Sequence, residues 1–180
     1  MWLSWVDDCL AIGNAENVKK AKNQMTDRFD CDVIGSMDEY VGCKVTYNKE
    51  ERWIKLTQPV LLQSFKDEFE LPTSLPNTPA EPGQILMPSD EENVLNSTDQ
   101  RTYCKGVRKL LLMMHWSHPD ILNPVRELSR FMTMATPGHL KAMYHIMVYC
   151  VHTENCGILL KPNGTCAVCV SQSQDDCQNI

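Results

Sequence analysis

No apolar run in this 180-residue chain approaches the length of a membrane span, and the N-terminal stretch Met1-Trp2-Leu3-Ser4-Trp5-Val6 is cut short by Asp7 and Asp8. Neither a secretory leader nor a membrane anchor is visible. Positive charge is also scarce: 17 Lys and Arg stand against 23 Asp and Glu, a net charge of -6. That balance argues against a free-standing nucleic-acid binder with a broadly basic surface. The glycines Gly13, Gly35, Gly42 and Gly106 build no phosphate-binding loop, and no internal repeat is present. The nine cysteines are odd in number and scattered, which excludes a secreted disulfide framework and predicts an intracellular chain with reduced thiols. One Cys-x-x-Cys occurs, Cys166-Ala167-Val168-Cys169, with no second pair or matched histidines to complete a zinc site. The pairs His115 with His118 and His139 with His145 lack the glutamate of a metalloprotease helix and suit packing or capping.

What is present begins with Trp5-Val6-Asp7-Asp8, flanked by apolar segments on both sides. Successive strand residues point to opposite faces, so neighbouring carboxylates share a metal site only if a tight turn interrupts the strand. The economical reading is strand, acidic turn, strand, and such a pair can hold divalent cations for phosphoryl transfer. Asn14 is placed to cap a helix to about Phe29, with Val18, Ala21, Met25 and Phe29 as a core stripe. The runs 40–47 and 52–56 predict a β-hairpin, with Tyr40, Tyr47 and Trp53 read as cross-strand packing residues. Leu61, Leu62, Phe65 and Phe69 follow at helical spacing.

Composition then shifts. Pro72, Pro76, Pro79, Pro82 and Pro88, ending in Asp90-Glu91-Glu92, predict a linker. Beyond it come three helices: one to about Trp116, one through Val125, Leu128, Phe131 and Met132, and one opened by Thr136-Pro137. A strand at Gly157-Ile158-Leu159-Leu160 closes the series, and the tail from Pro162 shows no regular period. Lys105, Arg108 and Lys109 share one helical face, which by itself reads as a solvated surface.

The order of these elements, with Trp5-Val6-Asp7-Asp8, Glu39-Tyr40-Val41-Gly42, Pro119-Asp120-Ile121, Leu128-Ser129-Arg130-Phe131-Met132, Pro137 and His139, resembles the C-terminal palm and thumb part of the reverse transcriptase of copia-type retrotransposons. The likeness runs from about Leu3 to Gly164. It implies an α+β chain: an incomplete polymerase palm with β-hairpins over 1–71, a Pro-rich acidic linker over 72–98, a helical thumb-like region over 99–161, and a poorly ordered Cys/Ser/Gln-rich tail over 162–180.

By the same resemblance Asp7 and Asp8 are the metal-binding, catalytic pair of an RNA-directed DNA polymerase that uses Mg2+. Trp5, where the family has Tyr, and Lys105, Arg108 and Lys109 become candidate contacts to an RNA or DNA primer–template. The third carboxylate of such a site belongs to an earlier palm strand and is expected upstream of Met1, so magnesium binding by this chain alone is expected to be weak or absent. The expectation is a polymerase fragment inactive on its own. Its alternatives are a non-catalytic remnant that packs with a palm and fingers polypeptide or weakly contacts nucleic acid, and a small thiol or metal protein using Cys166 and Cys169.

Overall fold

In a computed structural model, residues 2–5, 8–33, 37–88, 93–161 and 166–169 are described. Strands β1 (Trp2–Trp5) and β2 (Asp8–Ala11) form a two-stranded antiparallel sheet. Helix α1 (Ala15–Thr26) follows, its first turn capped by the Asn14 side chain, which accepts from the Asn17 N–H at 2.9 Å.

A second, five-stranded antiparallel sheet has the order β3-β4-β5-β6-β7, formed by Glu39–Tyr40, Cys43–Asn48, Trp53–Thr57, Gly157–Leu160 and Cys166–Cys169. The run 40–47 is therefore not one strand. Tyr40 pairs with Cys43, leaving Val41 and Gly42 as a two-residue turn with φ of 51° and 71°. Positive φ at both positions matches the right-handed twist of a tight hairpin. It also holds a β-branched valine in a conformation such residues seldom adopt.

Along β4, Cys43 and Val45 are buried while Lys44 and Thr46 are exposed, the alternation of a sheet covered on one face. Tyr47 lies opposite Ile54 and Asn48 opposite Trp53. Tyr47 is thus a cross-strand neighbour of an aliphatic residue, and the Trp53 indole donates to Glu51 Oε2 at 2.7 Å.

The main core is helical and takes in both sides of the proline-rich segment. Helix α2 (Pro59–Glu68) contributes Leu62 and Phe65; α3 (Ser97–Trp116) contributes Tyr103, Val107, Leu110 and Met113. A 3₁₀ turn (Pro119–Ile121), α4 (Leu122–Ser129) and α5 (Pro137–His152) complete it with Ile121, Val125, Leu128, Met143, Ile146 and Met147. Pro59 and Pro137 stand in the first turns of their helices, where the missing N–H costs nothing. At the closest approach of α3 and α5, Gly106 lies against Met143 and Met147.

Four expectations change. The stripe on α1 is not core: the helix has no buried residue, and Phe29, beyond the Asp27 C-cap, is 59% exposed. Nor do the boundaries 71/72 and 98/99 separate two cores. Leu62 and Phe65 pack with α3 and α5, and β5 pairs with β6 across the intervening sequence.

The proline-rich stretch is no free linker either. Leu86 and Leu95 pack on the core, Leu95 donates its N–H to Ala135 O, and Thr78 O meets His145 Nε2 at 2.9 Å. Within the tail, 166–169 form β7 beside β6, while 162–165 and 170–180 lie outside the described residues. No described helix is long and apolar enough to cross a membrane.

Candidate nucleic-acid and metal site

Trp5 and Asp8 are cross-strand partners, so β1 and β2 are joined by the two residues Val6 and Asp7. Asp8 is the first residue of β2. Val6 and Asp7 lie outside the described residues. Among the described residues no group of three or more His, Cys, Asp or Glu is arranged to hold a metal ion.

Cys166 and Cys169 pair with Leu160 and Gly157, at opposite ends of β6. Three steps of extended strand put their Cα atoms about 10 Å apart. That exceeds the span a disulfide bridges and disfavours a shared zinc turn.

The basic face of α3 is built more specifically than the sequence suggests. Lys105 Nζ reaches Glu68 Oε2 at 2.6 Å, and Lys109 Nζ reaches Glu68 Oε1 at 2.8 Å, so one carboxylate at the end of α2 bridges both. These bonds, Lys105's first, hold the Glu68 carboxyl below its ordinary pKa. Lys109 also donates to Ser64 Oγ at 2.7 Å, and both ammonium groups lie about 6 Å from the centre of the Phe69 ring. Lys109 is 20% exposed and Lys105 55%.

Arg101 and Arg108 are exposed on the same face, and neither makes an ion pair within 4 Å among the described residues. With Gln100, Cys104, Lys105 and Lys109 they line a shallow groove of about 520 Å³. Arg101 was not singled out from sequence, although it stands one helical turn before Lys105. Glu68 could not have been, since nothing local ties it to α3.

A second polar cluster is buried where α2, α3 and α5 meet. Ser117 donates to Gln58 Oε1 at 2.8 Å and touches His118 Nδ1 at 3.1 Å; His118 Nε2 faces Thr153 Oγ1 at 3.5 Å. Tyr149 donates to Asp120 Oδ2 at 2.7 Å. Burial lowers the pKa of His118 despite the nearby Asp120 carboxylate. At the other end of α5, His139 Nδ1 accepts from the Thr136 N–H at 3.0 Å, and its ring stacks on Phe131 with centroids 4.1 Å apart. These histidines cap and fill.

No family model and no solved structure matches the chain. Among curated proteins, a retrovirus-related Pol polyprotein from transposon TNT 1-94 of Nicotiana tabacum is 24% identical over 153 residues, covering 82% of this chain and 11% of the relative. One from transposon RE1 of Arabidopsis thaliana is 27% identical over 165 residues, covering 91% of this chain and 11% of the relative. The chain is similar to retrotransposon Pol polyproteins. It spans about a tenth of the length of these Pol relatives. At this level the likeness supports derivation from a copia-type retrotransposon Pol.

Proposed function

We propose that the chain is a piece of a copia-type reverse transcriptase, from the end of the palm into the thumb, that does not polymerise DNA by itself. The observation that carries the reading is the similarity to two Pol polyproteins over most of the chain, which includes an acidic hairpin closed by Trp5 and Asp8. In this reading Asp7 and Asp8 are two carboxylates of a magnesium site for RNA-directed DNA synthesis. When bound, the metal would activate the primer oxygen and neutralise the nucleotide phosphates. The pair would need a further carboxylate from another palm strand. Trp5 then stands beside the primer terminus, and α3 offers cations to the primer–template.

A second reading, a non-catalytic remnant that packs with a partner chain, is favoured by α1. Its Val18, Ala21 and Met25 are only half-buried, and β1 and β2 form a sheet of two strands, a unit that rarely stands alone. The natural cover is a palm and fingers polypeptide.

Primer extension on a homopolymer template with magnesium or manganese tests the proposal. The chain as given is expected to incorporate nothing. A longer chain, extended through in-frame sequence preceding Met1, is expected to show template-dependent incorporation that Asp7→Asn or Asp8→Asn abolishes. Incorporation by the chain as given would overturn its inactivity, and indifference of the longer chain to both substitutions would overturn the metal role. A palm and fingers polypeptide supplied separately that binds this chain tightly yet restores no incorporation would favour the remnant.

A further inference from the structure

The four cations on the outer face of α3 differ in what already holds them. Lys109 is the least exposed and has three partners, namely Glu68, Ser64 and the Phe69 ring. Moving it to a ligand would take the ammonium partner from the part-buried Ser64 hydroxyl, whereas the exposed Glu68 would keep Lys105. Lys105 is mostly in solvent, and among the described residues its one carboxylate is the Glu68 it shares with Lys109. Arg101 and Arg108 are unengaged by any carboxylate among the described residues. Seven residues are nearly two helical turns, so the two arginines lie on one line about 10 Å apart. That separation lets the two side chains reach different phosphates of one duplex, whose charges recur on each strand about every 3.4 Å of helix axis. Guanidinium groups suit phosphate because they donate two parallel hydrogen bonds.

We infer that α3 carries a graded phosphate-binding strip in which Arg101 and Arg108 are the standing contacts, Lys105 is a reserve contact withheld by Glu68, and Lys109 is a structural cation that never leaves α2. The inference rests on the proposed contact between α3 and a primer–template and adds its regulation. Glu68 acts as an intramolecular competitor for the phosphate. It lowers the affinity of the strip and sets how many counterions binding releases. Such a brake keeps a sliding contact weak, which suits a surface that must follow the duplex rather than clamp it.

The test uses the full chain and a short labelled RNA–DNA duplex, with anisotropy titrations from low to moderate salt. Each phosphate contact contributes about 0.9 to the slope of log affinity against log salt. Arg101→Ala and Arg108→Ala are each expected to lower that slope by about one and weaken binding about threefold or more. Glu68→Gln, which keeps the shape of the side chain, is expected to raise the slope by about one and tighten binding by a similar factor. Lys109→Gln is expected to leave the slope unchanged while lowering the melting temperature. The slope depends on the contacts of folded molecules, so partial unfolding of a variant does not imitate the result.

A slope that falls with Lys109→Gln as far as with the arginine variants, or that ignores Glu68→Gln, would overturn the grading while leaving nucleic-acid contact standing. Absence of any salt-dependent binding by the unmodified chain would instead remove the α3 contact from the proposed function, and the strip with it.

Discussion

Tyr149 on α5 donates its phenolic hydrogen to Oδ2 of Asp120, 2.7 Å away in the 3₁₀ turn, while Asp120 Oδ1 is buried without a protein partner among the described residues. The bond ties the end of α5 to the turn between α3 and α4, in a place where water cannot replace it freely. Burial first, and then this bond, push the phenol pKa well above its ordinary value. Tyr149→Phe should cost about 1–3 kcal/mol in chemical denaturation, because it leaves a second carboxylate oxygen unpaired. Removing Asp120 as well should recover part of that cost, with a coupling of about 0.5–3 kcal/mol. Strictly additive effects would show that the bond contributes little.

Two glycines allow close approach, and they should differ. A Cβ on Gly157 would overlap the backbone carbonyl oxygen of Leu56 and come within 2.9 Å of Thr57 Cγ2. A Cβ on Gly106 would overlap Met143 Sδ and come within 2.8 Å of Met147 Cε, flexible but fully buried side chains that must repack to admit it. Gly106→Ala also gains about 1 kcal/mol of helix propensity. It should therefore cost less by urea denaturation than Gly157→Ala, which should cost about 1–3 kcal/mol or more because the backbone it meets cannot repack. The reverse order would contradict the assigned contacts.

Acid should weaken the fold in a defined window. His118 and His139 both have pKa values lowered by burial, so the folded chain binds fewer protons than the unfolded one. Their neutral forms contribute stability in full above the unfolded value of about 6.5, and it is lost as pH falls through the folded values below that. Urea midpoints should hold steady from pH 8 to 7 and decline below about 6.5. His139→Gln should flatten part of the decline. An unchanged slope would mean that its imidazole is already protonated in the fold.

Thiol reactivity should follow burial. Cys43 is 1% exposed, and burial aided by Glu39 pushes its pKa up to about 11; Cys150 is fully buried with its pKa raised well above the ordinary value. Cys9 and Cys31 are exposed. Brief alkylation followed by peptide mapping should label Cys9 and Cys31 and spare Cys43 and Cys150 until denaturant is added.

Helix starts and the existence of the central hairpin were legible because their signals are local, whereas the turn at Val41 and Gly42 that splits its first strand was not. Asn14, Pro59, Thr136 and Pro137 mark their own helices, and Gly157–Leu160 is a strand as its apolar run suggested. The break at His118-Pro119 was equally local, since proline restricts the residue before it. What escaped was long-range. Helical spacing on α1 resembles a core stripe whether or not anything covers it, and the pairing of β5 with β6 leaves no mark in either strand. At the candidate site, Lys105, Arg108 and Lys109 could be placed on one face from spacing alone. That Glu68 occupies two of them depends on how α2 lies across α3, which spacing cannot encode.

The pairing of Ile54, Lys55 and Leu56 with Leu160, Leu159 and Ile158 also sets a schedule. During synthesis the edge of β5 emerges about a hundred residues before the strand that covers it, a wait of roughly 5–20 s at ordinary elongation rates. Through that interval a half-finished sheet offers its backbone to any other nascent chain. A ribosome that stalls in the proline-rich stretch would lengthen the exposure, and with it the time during which misassociation competes with the native pairing.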